Sequence, residues 1–142
     1  MFKVVLVASD GSDAGDRALF YARDLAIDQK ARLVVVHVDV LIPGHGGAHH
    51  AQVMEPEIQQ KITDQVAQLK SAGLDAEFQV REVAASGPAH AIAEAAEAAG
   101  VDLIVTGNVG SGPLRGLLLG SVAHRLLQIA PCPVLVVPHG DR

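Results

Sequence analysis

The chain has 142 residues and a net charge of -5, a size that suits one domain over 1–142 and a balance that, with no basic run, excludes nucleic acid as an electrostatic partner. It is 49% hydrophobic but only 3% aromatic, so its core must come from Val, Leu, Ile and Ala. That usage suits helices layered on a parallel sheet.

Phe2 to Ala8 is an apolar run with Val4, Val5, Leu6 and Val7 together. It shows no alternation, as expected of a strand buried on both faces. Met1-Phe2-Lys3-Val4 leads straight into it without a signal-peptide layout, and no apolar run in the chain reaches membrane-span length, so the expected location is the cytoplasm. Ser9-Asp10-Gly11-Ser12 supplies turn and N-cap residues. A helix is predicted from Asp13 to Gln29, with Ala18, Ala22, Leu25 and Ala26 on one stripe.

Leu33 to Val40 reads as a second buried strand, and His37 within it as a hydrogen-bonded interior or strand-end histidine rather than a catalytic one. Leu41 to about Ala51 reads as a solvated loop. It holds His45, His49 and His50, which lack acidic or cysteine co-ligands for a metal. A second helix is expected from about Met54 to Ser71, on Ile58, Ile62, Val66 and Leu69, with Gly73 as its stop. The next strand, Asp75 to Val83, alternates polar and apolar residues from Glu77 to Arg81, which marks a sheet edge. Ser86-Gly87-Pro88 opens a third helix with Pro88 at its first position. Ala89, Ile92, Ala96 and Ala99 line its apolar side. Val101 to Thr106 is the fourth strand.

A glycine-rich stretch, Gly107 to Ser121, follows that strand and enters a helix that Ser121 is expected to cap, with Val122, Leu126 and Ile129 facing inward. Such a loop either connects flexibly or brings backbone N–H groups and a helix N-terminus against an anion. Pro131-Cys132-Pro133 breaks the helix, and Val134 to Val137 is the fifth strand. Cys132 is the only cysteine, so no internal disulfide forms and no metal-site spacing arises.

Strands separated by helices imply parallel pairing with right-handed crossovers. With the third strand at an edge, the sheet order is 3-2-1-4-5, a doubly wound α/β sheet with helices on both faces. Winding reverses between strands one and four, where ligands bind beyond the carboxyl ends. Ala8-Ser9-Asp10-Gly11 and Thr106-Gly107-Asn108 meet there, which favours anion binding over the flexible connector. The uncharged fifth strand is an open edge. Either a second copy pairs with it through Val134–Val137, the preferred reading, or a helix or the C-terminal tail covers it.

With these elements in place, the chain resembles the universal stress protein family along essentially its whole length. The resemblance lies in Val4-Val5-Leu6-Val7-Ala8-Ser9-Asp10-Gly11-Ser12, in Val35-Val36-His37-Val38, and in the closing Pro131-Cys132-Pro133-Val134-Leu135-Val136-Val137. Above all it lies in a spacing of Gly107, Gly110, Gly120 and Ser121 that matches the family's nucleotide motif. The resemblance implies the ATP-binding branch: a nucleotide-dependent regulatory homodimer acting on an unidentified protein partner, with a slow ATPase as the alternative.

By the same resemblance Gly107, Gly110, Gly120, Ser121 and Val122 would hold the phosphates, and Gly112 and Gly116 would only shape the loop. Asn108 would lie beside the ribose and phosphates. Ala8, Ser9 and Asp10 would line the adenosine side, with Thr106 at the strand end. Val38 would meet the adenine, and Gly87 and Pro88 would approach the ribose. Asp10 would hold a phosphate-bound Mg through water. Arg115, the only basic residue of the loop, would neutralise phosphate or face solvent. A receiver domain is excluded because the third and last strands lack the required aspartate and lysine. A flavin module is disfavoured because no aromatic flanks the loop.

Overall fold

The computed structural model describes residues 1–43, 49–50, 56–84, 87–108 and 119–138. In chain order the elements are β1 (Val4–Ala8), α1 (Asp13–Gln29), β2 (Arg32–Pro43), β3 (His49–His50), α2 (Pro56–Ser71), β4 (Ala76–Ala84), α3 (Pro88–Ala98), β5 (Leu103–Gly107), α4 (Ser121–Ile129) and β6 (Val134–Val137).

Five strands pair in parallel in the order β4-β2-β1-β5-β6. This is the expected 3-2-1-4-5 sheet, with winding that reverses between β1 and β5. Strand parity then builds two cores. Val5 and Val7 of β1, with Leu33 and Val35 of β2 and Leu103 and Val105 of β5, face α1 and α2. Leu6, Val34, Val36 and Ile104 face α3 and α4. Both sets are fully or nearly fully buried, which is why these strands show no alternation. Each such side chain contributes about 1.5–3 kcal/mol by leaving water.

The caps follow local chemistry. Ser12 caps α1, its Oγ accepting from the Gly15 N–H at 3.2 Å. Lys30 closes α1 in the left-handed region at φ 55°. Pro88 is the first residue of α3. The cap of α4 differs from expectation. Gly120, not Ser121, is its N-cap, and no side chain among the described residues caps the helix. Gly120 takes that place because its N–H is drawn to the Asn108 carbonyl, which fixes the chain just before the helix begins.

β1 starts at Val4 rather than Phe2. β2 runs past Val40 to Pro43, and its end pairs antiparallel with His49–His50. Part of the expected loop is therefore a short ladder; His45 lies outside the described residues. His37 is buried and hydrogen-bonded, as expected. β4 is an edge, paired through β2 alone among the described strands, and its exposed Val80 and Glu82 fit that position. No described helix is long and apolar enough to cross a membrane.

Candidate functional site

A crevice of about 250 Å³ opens at the reversal point between β1 and β5. Ala8, Ser9 and Asp10 line it from the end of β1, and Thr106 and Gly107 from the end of β5. Gly120, Ser121 and Val122 line it from the start of α4, and Val38 from β2. Pro88 contributes from α3. Asn108 stands outside the lining, and Gly110 lies outside the described residues, as do Gly112, Arg115 and Gly116. Gly87, the N-cap of α3, is not among the lining residues.

The start of α4 is the donor side. The first N–H groups of a helix lack intrahelical partners, and here no side chain among the described residues takes them. They carry the helix's partial positive charge toward the crevice. Across from them Val36, Val38, Pro88 and Ile92 give apolar surface suited to a flat hydrophobic ring. No Lys or Arg lines the crevice among the described residues, and Asp10 is its only charged side chain there.

The β1–α1 turn is held from several sides. Ser9 N–H donates to the Val36 carbonyl at 2.9 Å, which carries the strand ladder one residue further. Ser9 Oγ accepts from the Gly11 N–H at 3.3 Å. Asp10 Oδ1 accepts from the Ser12 N–H at 3.0 Å and from the Ser12 hydroxyl. From α2, Lys61 Nζ donates to the Gly11 carbonyl at 2.8 Å and to Asp16 Oδ2 at 2.7 Å. Gly11 sits at φ +79°, where a Cβ would lie 2.8 Å from Ile58 Cγ2.

The β5 end is equally fixed. The Asn108 N–H donates to the Val137 carbonyl at 3.0 Å, and its own carbonyl accepts from Gly120. One backbone residue thus joins β5, β6 and α4. Asn108 Oδ1 is buried without a hydrogen-bond partner among the described residues.

Sequence reasoning passed over Gly15, Val36, Ile92 and Ala123, all of which line the crevice. Gly15 had a readable signal. A glycine inside a helix costs about 1 kcal/mol against alanine, so one in the first turn calls for a reason. The reason is contact: a Cβ there would lie 3.0 Å from both Ser9 Oγ and Asp10 Oδ1.

An open parallel sheet with its crevice at the reversal, apolar surface on one side and a helix N-terminus on the other, defines a Rossmann-like α/β fold of the kind whose ligands sit at such a reversal. The chain belongs to the universal stress protein family, whose sequence model matches residues 1–138. It is 34% identical over 151 residues to universal stress protein YxiE of Bacillus subtilis, covering 96% of this chain and 99% of that one. Among solved structures it is similar to a universal stress protein in complex with cAMP, at 30% identity and a TM-score of 0.69 over 99% of both chains. A universal stress protein from Archaeoglobus fulgidus is 26% identical with a TM-score of 0.72, over 96% of this chain and 98% of that one.

Proposed function

We propose that this protein is an ATP-binding universal stress protein, a cytoplasmic homodimer whose nucleotide occupancy regulates its contact with another protein. The observation that carries this reading is the crevice itself. Free N–H groups at the start of α4 suit phosphates, and the surface of Val36, Val38, Pro88 and Ile92 suits a purine. The spacing of Gly107, Gly110, Gly120 and Ser121 supports ATP. The relative in complex with cAMP supports an adenine nucleotide in general.

In this reading Gly107, Gly110, Gly120, Ser121 and Val122 hold the phosphates and Asn108 lies beside them. Ala8, Ser9, Asp10, Val38 and Thr106 border the nucleoside. Asp10 has one carboxylate oxygen taken by Ser12, and the described residues contain no cluster of three or more His, Cys, Asp or Glu side chains. That set fits a Mg²⁺ held chiefly by phosphate oxygens and water, with Asp10 acting through water. Efficient phosphoryl transfer needs a positioned base, metal ligands and a cation at the transition state. One charged side chain in the described lining supports binding over turnover.

The test is the nucleotide released from the purified protein, identified by chromatography, followed by calorimetric titration with ATP and Mg²⁺ and, separately, with cAMP. Saturable heat with ATP is expected. Neither heat nor a thermal shift at millimolar ATP would overturn the reading, and tighter binding of cAMP than of ATP would replace its ligand.

A further inference from the structure

His37 and Asp39 lie on the face of β2 opposite the crevice, sharing strand parity with Leu33 and Val35, while Val36 and Val38 look toward α3 and α4. Both are more than nine-tenths buried. His37 Nδ1 is 2.8 Å from the Ser9 carbonyl oxygen, and its Nε2 is 3.1 Å from Asp39 Oδ1. A carbonyl only accepts, and so does an ionised carboxylate. The Ser9 contact therefore places a ring hydrogen on Nδ1, and the Asp39 contact at Nε2 holds the ring in that orientation.

The consequence falls on the next peptide group. No peptide bond in the described chain is cis. In a trans peptide the C=O and the following N–H point in opposite directions. His37 draws the Ser9 carbonyl toward the α1–α2 face, so the Asp10 N–H points toward the crevice. That N–H has no hydrogen-bond partner among the described residues. It also lies only 3.2 Å from where a Gly15 Cβ would stand, and Gly15 has none. The missing Cβ leaves this donor open to the crevice that Ser9, Asp10 and Gly15 line together.

We propose that His37 is a positioning residue for the nucleotide site: it never touches the ligand, but by holding the Ser9 carbonyl it aims the Asp10 N–H at an acceptor on the bound nucleotide. Asp39 holds the ring in the orientation that makes this possible. The proposal rests on the nucleotide reading above and adds a specific donor and its support.

Two substitutions separate this role from general stability. Asparagine carries its amide nitrogen near the Nδ1 position, so His37→Asn keeps a donor for Ser9 and loses Asp39. Glutamine carries its amide nitrogen near Nε2, so His37→Gln keeps Asp39 and loses Ser9. ATP affinity is measured by calorimetry for both, and the Asp10 amide is followed by ¹H–¹⁵N NMR during the titration. His37→Asn should bind within about threefold of the parent, and His37→Gln about tenfold more weakly, the size of one lost hydrogen bond. The Asp10 amide should shift on ATP addition in the parent and in His37→Asn, and much less in His37→Gln. Asp39→Asn, whose amide offers both a donor and an acceptor to Nε2, serves if either variant fails to fold, and should leave the Asp10 shift in place. Equal affinities for the two His37 variants, or an Asp10 amide that ATP does not move in the binding-competent parent, would overturn the proposal. A parent chain that binds no adenine nucleotide would instead remove the reading beneath it.

Discussion

Gly15 and Asp10 are packed more closely than side chains ordinarily are: a Cβ at Gly15 would lie 3.0 Å from Asp10 Oδ1 and 3.2 Å from its backbone nitrogen, so that Asp10 would have to give way. Gly15 is buried in the first turn of α1, where alanine would otherwise favour the helix by about 0.5–1 kcal/mol. The glycine therefore keeps the crevice open at a small cost to the helix.

Gly15→Ala should separate stability from binding. Gained helix propensity offsets part of the crowding at Ser9 Oγ and Asp10, so the melting temperature should stay within a few degrees of the parent's. ATP affinity should fall by about tenfold or more, because the methyl group covers the Asp10 N–H. Thermal melts and calorimetry on the same preparation test both halves, and unchanged affinity would show that this corner of the crevice carries no ligand.

Gly11→Ala acts through the fold instead. At φ +79° an L side chain is strained by about 1–2 kcal/mol. Its Cβ would also meet Ile58 Cγ2 at 2.8 Å. Urea unfolding should show a loss of about 2 kcal/mol or more. Adding Ile58→Ala should recover the steric part and leave the backbone part, so the two changes should be non-additive. Strict additivity would mean that the turn moves away from α2 rather than straining against it.

The difference between these two glycines marks what the sequence could reveal. Strand parity and the stripe of α1 are local patterns, and each reported its own burial; the alternation of β4 marked its edge position but not its burial, since the apolar Val80 is exposed. They were enough for strand order, for the bounds of α1 and for the crevice at the reversal. The clamp on the β1–α1 turn was not legible. Lys61 reaches Gly11 and Asp16 from 50 and 45 residues away, and no local period reports such a contact. Ser121 was misread as the cap for a similar reason. Its residue type suits an N-cap, but the Asn108 carbonyl fixes Gly120 there. His37 showed its burial through its apolar neighbours, yet its partner Ser9 lies 28 residues away, in the turn after β1.

Cys132 carries a pH dependence with a definite sign. Burial pushes its thiol pKa above the ordinary value, and the nearby Asp102 carboxylate pushes the same way, against a smaller opposing hydrogen bond at Ile104. The folded thiol thus keeps its proton at pH values where the unfolded thiol releases it. Stability from this source is complete below the unfolded thiol's pKa, about 8.5, and is lost as pH rises through the folded value. Urea unfolding at pH 7.5 and 9.5 should show a smaller alkaline loss for Cys132→Ser than for the parent. Alkylation at pH 8 should be slower in the native chain than in urea. An alkaline loss of equal size in both proteins would assign it to other groups.

Among the described strands β6 pairs with β5 alone, and its other edge gives the sharpest test of the proposed homodimer. The Pro133 carbonyl accepts from Ile104 and the Val137 carbonyl from Asn108, each at 3.0 Å. In a parallel ladder alternate residues face the neighbouring strand, so residues 133, 135 and 137 turn their backbone groups to β5. The N–H and C=O groups of Val134 and Val136 then face outward, on a strand with no charge to deter pairing. Leu135 is 37% exposed on the same strand, and Leu127 is 53% exposed on α4, which packs against β6. Two copies pairing antiparallel through Val134 and Val136 would satisfy these groups and cover both leucines under a two-fold axis. Val136→Pro removes one outward donor and leaves the β5 ladder intact, since proline is tolerated on an edge strand. Light scattering at micromolar concentration should give the mass of two chains for the parent and of one chain for Val136→Pro. Because the substitution points away from the crevice, ATP binding per chain should persist. A parent that already scatters as one chain would sink the dimer, and a variant that remains dimeric would move the interface away from β6.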